Sequence, residues 1–308
     1  MFNFLASTRF RTALAACGVV LVLAFAFAFT PLSVWASDFL RLFWVQQVAA
    51  LPVDTTGLSL FGNDTALAKQ ISQLLADSVT VTRQPAKPVL APSAAAASQQ
   101  AGFTVRLPAS RTDAPAITVQ GGLAFQFVAN RGRAQKLLDE AGFARLVLPA
   151  SLDGAVIKVD VPNAVSIVYG DCPSLDTVDA QRNGSPGRLM ASCILLVEMP
   201  SPTMMAPDDL PVDQLVEMGL QLTGMTPEQA RAYRQTVDWT STLVLPIPRN
   251  GASYTKVAVD GTSGYLIQRP LDDAPQYSLV WVRNGIIHAI AGYGNGAETA
   301  VSMANSLK

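Results

Sequence analysis

The sequence predicts an α+β fold in which short strands form a mostly antiparallel sheet and a few helices pack against it. Short apolar runs recur along the chain and are separated by turn residues, which is typical of antiparallel strands. The helical patterns are few and clustered, whereas a parallel fold would alternate them with the strands. One long apolar run near the N-terminus predicts a transmembrane helix in front of this domain.

The transmembrane prediction rests on residues 13–29, which are all apolar or small. Arg9 and Arg11 precede this run, and the first acidic residue, Asp38, follows it. Positive charge stays on the cytoplasmic side of a membrane, so the residues after the run are expected outside the cytoplasm. The prediction is a short cytoplasmic segment at residues 1–11 and an anchor at residues 12–36.

A removable signal peptide is the alternative interpretation of the same residues. Pro31 would break the apolar helix, and Val34 and Ala36 place small residues three positions and one position before a cleavage site at Ser37. The protein would then be exported after cleavage behind Ala36. The sequence leaves both interpretations open.

The remainder is predicted to contain a membrane-proximal helix and strand region at residues 37–83, a linker at 84–92 and an α+β domain at 93–308. The linker is predicted because residues 84–92 are biased in composition and rich in proline. A helix should follow directly, since Ser93 can cap it, alanines favour it and Gly102 suits the position after its end.

Capping residues and apolar periodicity predict the other helices, and alternation predicts the strands. Asn130 and the Thr226-Pro227-Glu228 sequence are the clearest helix starts. Predicted helices lie at 64–77, 93–101, 130–142, 212–222, 226–236 and 297–307. Predicted strands lie at 79–82, 103–107, 117–119, 123–128, 155–161, 164–169, 189–198, 243–245, 254–259, 264–268, 277–282 and 286–291.

Two glycine-containing pairs predict hairpins. Asn284-Gly285 is the strongest short hairpin signal in the chain, and a two-residue turn there places Trp281 opposite His288. Both faces of this hairpin are apolar, so both are expected to be covered. Gly121-Gly122 predicts a second hairpin between residues 117–119 and 123–128, and residues 155–161 and 164–169 are expected to pair in the same way.

Two of the three cysteines, Cys172 and Cys193, lie outside the predicted membrane segment. They flank a stretch of turn residues, and strand-like runs lie at 164–169 and 189–197. Antiparallel strands would bring the sulfur atoms together, and an outward-facing compartment permits oxidation. A Cys172–Cys193 disulfide is therefore predicted.

No pattern in the sequence points to a reaction. The net charge of −1 and the 15% of charged residues give no basis for nucleic-acid binding. His288 is the only histidine, which excludes a multi-histidine metal site, and the chain has no Gly-x-Ser-x-Gly motif. We therefore expect no enzymatic activity, no cofactor and no metal. Met204 and Met205 in a proline-flanked segment, together with Trp281 and His288, are the candidate ligand or partner surface.

The C-terminal part resembles a bacterial domain of unknown function found as the outer part of membrane-anchored anti-sigma-type regulators. The resemblance rests on structural motifs: Ala101-Gly102-Phe103, Leu107-Pro108, Asp260-Gly261, Gly264-Tyr265-Leu266, Leu279-Val280-Trp281, Asn284-Gly285, Ala291-Gly292 and Ala304-Asn305-Ser306-Leu307. It implies a fold similar to that of periplasmic lipoprotein carriers, in which a curved sheet holds helices on its concave side. It transfers no functional residue, and nothing before the anchor matches the sigma-binding domain, so sequestration of a sigma factor by that route is not expected.

These observations lead to a functional hypothesis with two alternatives. The hypothesis is a non-enzymatic, membrane-anchored extracytoplasmic domain that binds an unknown protein or lipid ligand, with an accessory or sensory role in envelope or sigma-factor regulation. The first alternative is a carrier that holds a lipid or acyl chain in an apolar cavity. The second is a hydrolase that uses His288.

Overall fold

The computed structural model is a mixed α+β fold with mostly antiparallel sheets and, among the residues that it describes, six α-helices. The described residues are 45–54, 65–170, 172, 192–239, 241–270, 274–294 and 296–308. The helices are α1 (Thr65–Ser78), α2 (Ala94–Ala101), α3 (Arg131–Glu140), α4 (Val212–Leu222), α5 (Pro227–Arg234) and α6 (Ala297–Asn305). A short 3-10 helix spans Ala150–Leu152.

The largest element is an eight-stranded, fully antiparallel sheet. Its strands are β3 (Val89–Ala91), β4 (Ala116–Gln120), β7 (Ala164–Tyr169), β8 (Ile194–Pro200), β11 (Ser253–Val259), β12 (Thr262–Arg269), β13 (Gln276–Arg283) and β14 (Ile286–Tyr293). Their order across the sheet is β11-β12-β13-β14-β8-β7-β4-β3. The apolar residues of these strands make both faces of the sheet apolar, so each face needs a cover.

Helices cover one face of this sheet and a second sheet covers the other. Residues of α2 and α6 pack on the first face with Leu196, Leu279 and Ile290, all of which are fully buried. The second face packs against an antiparallel four-stranded sheet. The strands of that sheet, in their order across it, are β2 (Val79–Arg83), β5 (Leu123–Val128), β6 (Val156–Val161) and β9 (Thr203–Met205).

The predicted hairpin at Gly121-Gly122 is wrong, because β4 and β5 belong to different sheets. The predicted pairing of residues 155–161 with 164–169 is wrong for the same reason, since β6 and β7 also lie in different sheets. The chain crosses between the sheets twice at one place, where the Gly122 N–H donates to Oδ1 of Asn163 at 2.8 Å. A side chain at Gly122 would collide with the carbonyl oxygen of Val161, so glycine is needed here for close backbone approach.

A parallel pair, β1 (Gln47–Val53) and β10 (Thr242–Pro248), completes the sheets. α4 and α5 pack on this pair with Trp239. Within the described part of the chain, no helix combines the length and the apolar character needed to cross a membrane. The predicted anchor at residues 12–36 lies outside that part, as do the cleavage site and the cytoplasmic segment.

The structure differs from the sequence prediction in and after the predicted linker at residues 84–92. Val89–Ala91, inside the predicted linker, forms the edge strand β3. The helix after it is confirmed: Oγ of Ser93 accepts from the Ala96 N–H, and Gly102 follows in a left-handed conformation. The predicted strand at 103–107 is instead extended chain that meets the C-terminus, with a bridge between Pro108 and Leu307.

Candidate functional site

The hairpin predicted at Asn284-Gly285 is confirmed, and it sets the position of His288. Both turn residues have positive φ values, 52° and 74°, and Trp281 pairs with His288 in the register. Their rings stack with centroids 5.0 Å apart and an interplanar angle of 8°. On the other side of His288, the same register places Glu198 of β8.

His288 and Glu198 form a buried pair on the helix-covered face of the eight-stranded sheet. Glu198 is 0% exposed and His288 is 2% exposed. Nδ1 of His288 lies 3.3 Å from Oε1 of Glu198, and neither atom has a well-aligned hydrogen bond among the described residues. The other carboxylate oxygen, Oε2, accepts from the backbone N–H of Arg106 at 3.0 Å. The pair is thus connected to the segment that leads from α2 to β4.

A second buried carboxylate lies on the far side of Trp281. Asp260 accepts from both Nη atoms of Arg106 at 2.6 and 2.8 Å, from Nη1 of Arg283, and from Nε1 of Trp281 at 3.2 Å. Burial alone would raise the pKa of Asp260, but the hydrogen bonds from Arg106 and Trp281 outweigh it and hold the pKa below its ordinary value. The hydrogen bond to Asp260 likewise raises the pKa of Arg106.

We call Arg106, Glu198, Asp260, Arg283 and His288 the buried charged cluster, after its three buried members Glu198, Asp260 and His288; the side chains of Arg106 and Arg283 reach the surface. The guanidinium groups of Arg106 and Arg283 both pair with Asp260, whereas Glu198 lies beside His288. Burying charges in this way is tolerated only where they are paired and hydrogen-bonded. The ion pairs with Arg106 and Arg283 explain how the buried carboxylate of Asp260 is accommodated beside an apolar sheet face.

Hydrogen bonds from the buried charged cluster hold the C-terminal residues against the sheet. Nη2 of Arg106 donates to the carbonyl oxygen of Leu307 at 2.7 Å, and Oδ1 of Asn305 accepts from the backbone N–H of Asp260 at 2.8 Å. Leu107 and Lys308 exchange two backbone hydrogen bonds of 3.1 and 3.2 Å. The contacts therefore hold the end of α6 and the segment after α2 over the sheet.

The burial of His288 bears on whether its imidazole could take part in acid–base chemistry. A carboxylate lies beside the imidazole, as a catalytic pair requires, but a general base must also reach a substrate. Neither His288 nor Glu198 lines either of the two clefts described below. Among the described residues, the pair contacts the ring of Trp281 and the backbone N–H of Arg106.

An open cleft of about 750 Å³ lies between the β11–β12 hairpin and the start of β1. We call it the β11 cleft. Its lining is largely polar, and Lys256 is the one charged residue among the described residues that line it. The lining consists of Gln46, Gln47, Val48, Ser241, Lys256, Ala258, Val259, Gly261, Thr262, Ser263 and Asn305.

The predicted candidate residues do not share one surface. Trp281 and His288 stack under the helices, whereas Met204 is buried in the core between the two sheets. Met205 follows on the edge strand β9 and lines a second cleft, of about 330 Å³, with Lys158 and Asp160. The four residues predicted to form one surface therefore belong to three separate environments.

The predicted disulfide is present between Cys172 and Cys193, whose Cα atoms are 4.9 Å apart. Cys172 follows β7 and Cys193 precedes β8, and these two strands pair antiparallel. The antiparallel pairing brings the sulfur atoms together, as the sequence pattern indicates.

Sequence reasoning missed most of the buried charged cluster. Glu198 carries a usable signal, since it is a lone acid in the otherwise apolar strand Ile194–Pro200. Asp260 carries a weaker one, because an Asp-Gly turn is expected between strands whether or not its carboxylate is buried. Arg106 gives no local signal, and only the fold brings it to these acids.

Comparison of the chain with protein-family models, with curated proteins and with solved structures gives no significant match. The functional proposal therefore rests on the chain's own sequence and on the geometry of its described residues.

Proposed function

We propose that this chain is a non-enzymatic extracytoplasmic binding domain on a single-pass N-terminal anchor, and that it binds at its surface. The observation that carries the proposal is the β11 cleft, which is open, polar and formed by elements distant in sequence. Binding sites are concave, and although sites for small molecules are mostly apolar, a polar lining suits a polar partner. An accessory or sensory role in envelope or sigma-factor regulation accords with the resemblance to the outer part of anti-sigma-type regulators.

The location outside the cytoplasm is supported by two features. The apolar run of residues 13–29 follows Arg9 and Arg11, which favours an outward-facing C-terminal part. The Cys172–Cys193 disulfide fits an oxidising compartment. A protease added to spheroplasts should therefore digest the part after residue 45, and complete protection would contradict this topology.

Surface binding is favoured over a carrier cavity by the packing under the helices. A carrier needs an apolar space between the sheet and the helices. Here Leu196, Leu279, Ile290 and Met303 are all fully buried in that layer. Both clefts described above lie elsewhere, and the larger one is mainly polar.

Photo-cross-linking of the full chain in cells tests the proposal. Ser263, an exposed residue of the β11 cleft, is replaced by p-benzoylphenylalanine, and Lys136, exposed on α3 away from the cleft, is replaced in a control chain. We expect a discrete cross-linked product from position 263 that position 136 does not give. Equal products from both positions, or none from position 263, would contradict binding at this cleft.

A further inference from the structure

The edge strands of the three sheets differ in how they are protected. An exposed edge strand offers unpaired backbone groups to another chain, and proteins protect such edges with short strands, bulges, prolines and lysines. β3 and β9 have only three residues each, β2 has a bulge between Val81 and Arg83, and β1 and β10 contain prolines. The prolines are Pro88 and Pro92 beside β3, Pro202 before β9, Pro52 in β1, and Pro246 and Pro248 in β10.

β11 is the exception among these described edges. It runs for seven residues, Ser253–Val259, without a proline and in unbroken register with β12. Its residues are exposed along most of the strand. The β11 edge is therefore long and regular enough to pair with an added strand, which is a recurring mode of peptide binding.

The turn after β11 determines which backbone groups are available. Asp260 and Gly261 have φ values of 50° and 73°, as in a type I′ two-residue turn, and Val259 pairs with Thr262. The pair that flanks such a turn is hydrogen-bonded, and hydrogen-bonded positions alternate along an antiparallel strand. The outward N–H and C=O groups of β11 consequently belong to Tyr254, Lys256 and Ala258.

The side chains of the same residues lie on the sheet face that borders the β11 cleft. Lys256 and Ala258 line it, and Tyr254 contacts Tyr265 on that face with ring centroids 6.0 Å apart. Side chains of an added strand alternate in the same way, so the residue opposite Lys256 would also point toward the cleft. Lys256 has no ion pair among the described residues. An acidic side chain of the added strand, placed opposite Lys256, would complement its charge.

A second copy of this chain fits the edge poorly. Lys256 is the middle residue of Ser253–Val259. The symmetric antiparallel register that uses the whole strand therefore places Lys256 of one copy opposite Lys256 of the other. Like charges directly opposite each other destabilise a strand pair.

We propose that β11 is a strand-addition site for an extended peptide that carries an aspartate or glutamate opposite Lys256. The inference rests on the proposed binding function and specifies its partner chemistry. Main-chain hydrogen bonds to Tyr254, Lys256 and Ala258 supply affinity, and the acidic side chain in the β11 cleft supplies the register. The partner segment should be extended, free of proline at its centre, and acidic at one position.

Selection from a phage-displayed library of random nonapeptides on the full chain in detergent micelles tests the charge rule. The unmodified chain should enrich peptides with an acid at one position, and Lys256→Glu should enrich lysine or arginine there. Lys158→Glu, which changes a lysine of the second cleft, should leave the acidic preference intact. Absence of an enriched charged position, or no reversal by Lys256→Glu, would overturn the proposal.

Backbone pairing is tested with a synthetic copy of the most enriched peptide. Hydrogen exchange of the Tyr254, Lys256 and Ala258 amides should slow at least tenfold on binding, whereas those of Thr255 and Val257, already bonded to β12, should change little. Protection at another strand would overturn the proposal, as would sedimentation showing that the chain alone forms a dimer that Lys256→Glu disrupts. If a position-263 cross-link forms in cells but peptides fail these tests, the binding function stands and strand addition does not.

Discussion

Replacement of Asp260 by asparagine should lower the free energy of unfolding by about 2–3 kcal/mol, because it leaves two guanidinium groups facing a neutral amide. Asparagine tolerates a positive φ, so the backbone conformation at position 260 is retained. The amide oxygen of its side chain can still accept the hydrogen bond from Nε1 of Trp281. The substitution therefore removes the charge while disturbing the turn and the tryptophan least.

The magnitude follows from the exposure of the partners. Removal of one member of a buried ion pair costs about 3–5 kcal/mol when the remaining charge stays buried. The side chains of Arg106 and Arg283 are 21% and 42% exposed, so water can partly solvate both after the carboxylate is lost. The expected cost therefore lies below the fully buried range, and most of it comes from Arg106.

Urea denaturation of the full chain in detergent, followed by circular dichroism, measures this difference. Asp209→Asn is the matched control, because Asp209 is exposed, and it should change the free energy of unfolding by less than about 0.5 kcal/mol. Asp260→Ala should cost more than Asp260→Asn, since alanine also loses the acceptor for Trp281 and tolerates the positive φ poorly. An Asp260→Asn chain as stable as the control would refute the reasoning.

Three further outcomes are expected. The pKa of Asp260 in the folded chain lies below its ordinary value, so its contribution to stability is complete above about pH 4 and is lost as the pH falls through the folded pKa. The difference in unfolding free energy between the unmodified chain and Asp260→Asn should therefore shrink toward low pH. A difference that stays constant with pH would contradict this. Replacement of Cys172 and Cys193 by serine should cost about 3 kcal/mol, because the bridge spans a sequence separation of 21 residues, and free thiols in the mass spectrum of the exported protein would argue against it. His288→Ala should lower the unfolding midpoint and cost about 2–4 kcal/mol, since it removes a buried ring stacked on Trp281, and an unchanged midpoint would count against a structural role.

Local signals in the sequence predicted the structure correctly where a few neighbouring residues determine it. Asn284-Gly285 fixes a two-residue turn, and the turn fixes the register that pairs Trp281 with His288. Thr226 starts α5 with a capping box, as its sequence indicates. These features depend on turn and cap chemistry, which acts over a few residues.

The sequence failed where tertiary contacts decide between equivalent local choices. Gly121-Gly122 looks like a hairpin turn, yet both glycines serve close packing at the crossover between two sheets. Val89–Ala91 looks like part of a linker, yet it pairs with β4 as an edge strand. Strands before and after the predicted linker also pair with each other, as β2 does with β5.

The candidate site was predicted only in part for the same reason. The pairing of Trp281 with His288 follows from one hairpin, but Glu198 and Arg106 come from distant segments. The β11 cleft is formed by residues that are far apart in sequence, and only the sheet order makes β11 an edge.

The most direct test of binding at the β11 edge is the position-263 cross-link in cells that produce Ala258→Pro. The proline removes an outward N–H without breaking a bond to β12, and Ala258→Ser is the matched control. The account predicts that Ala258→Pro abolishes the cross-linked product while Ala258→Ser retains it, with similar unfolding midpoints for both chains. An undiminished product from Ala258→Pro would contradict binding through this edge.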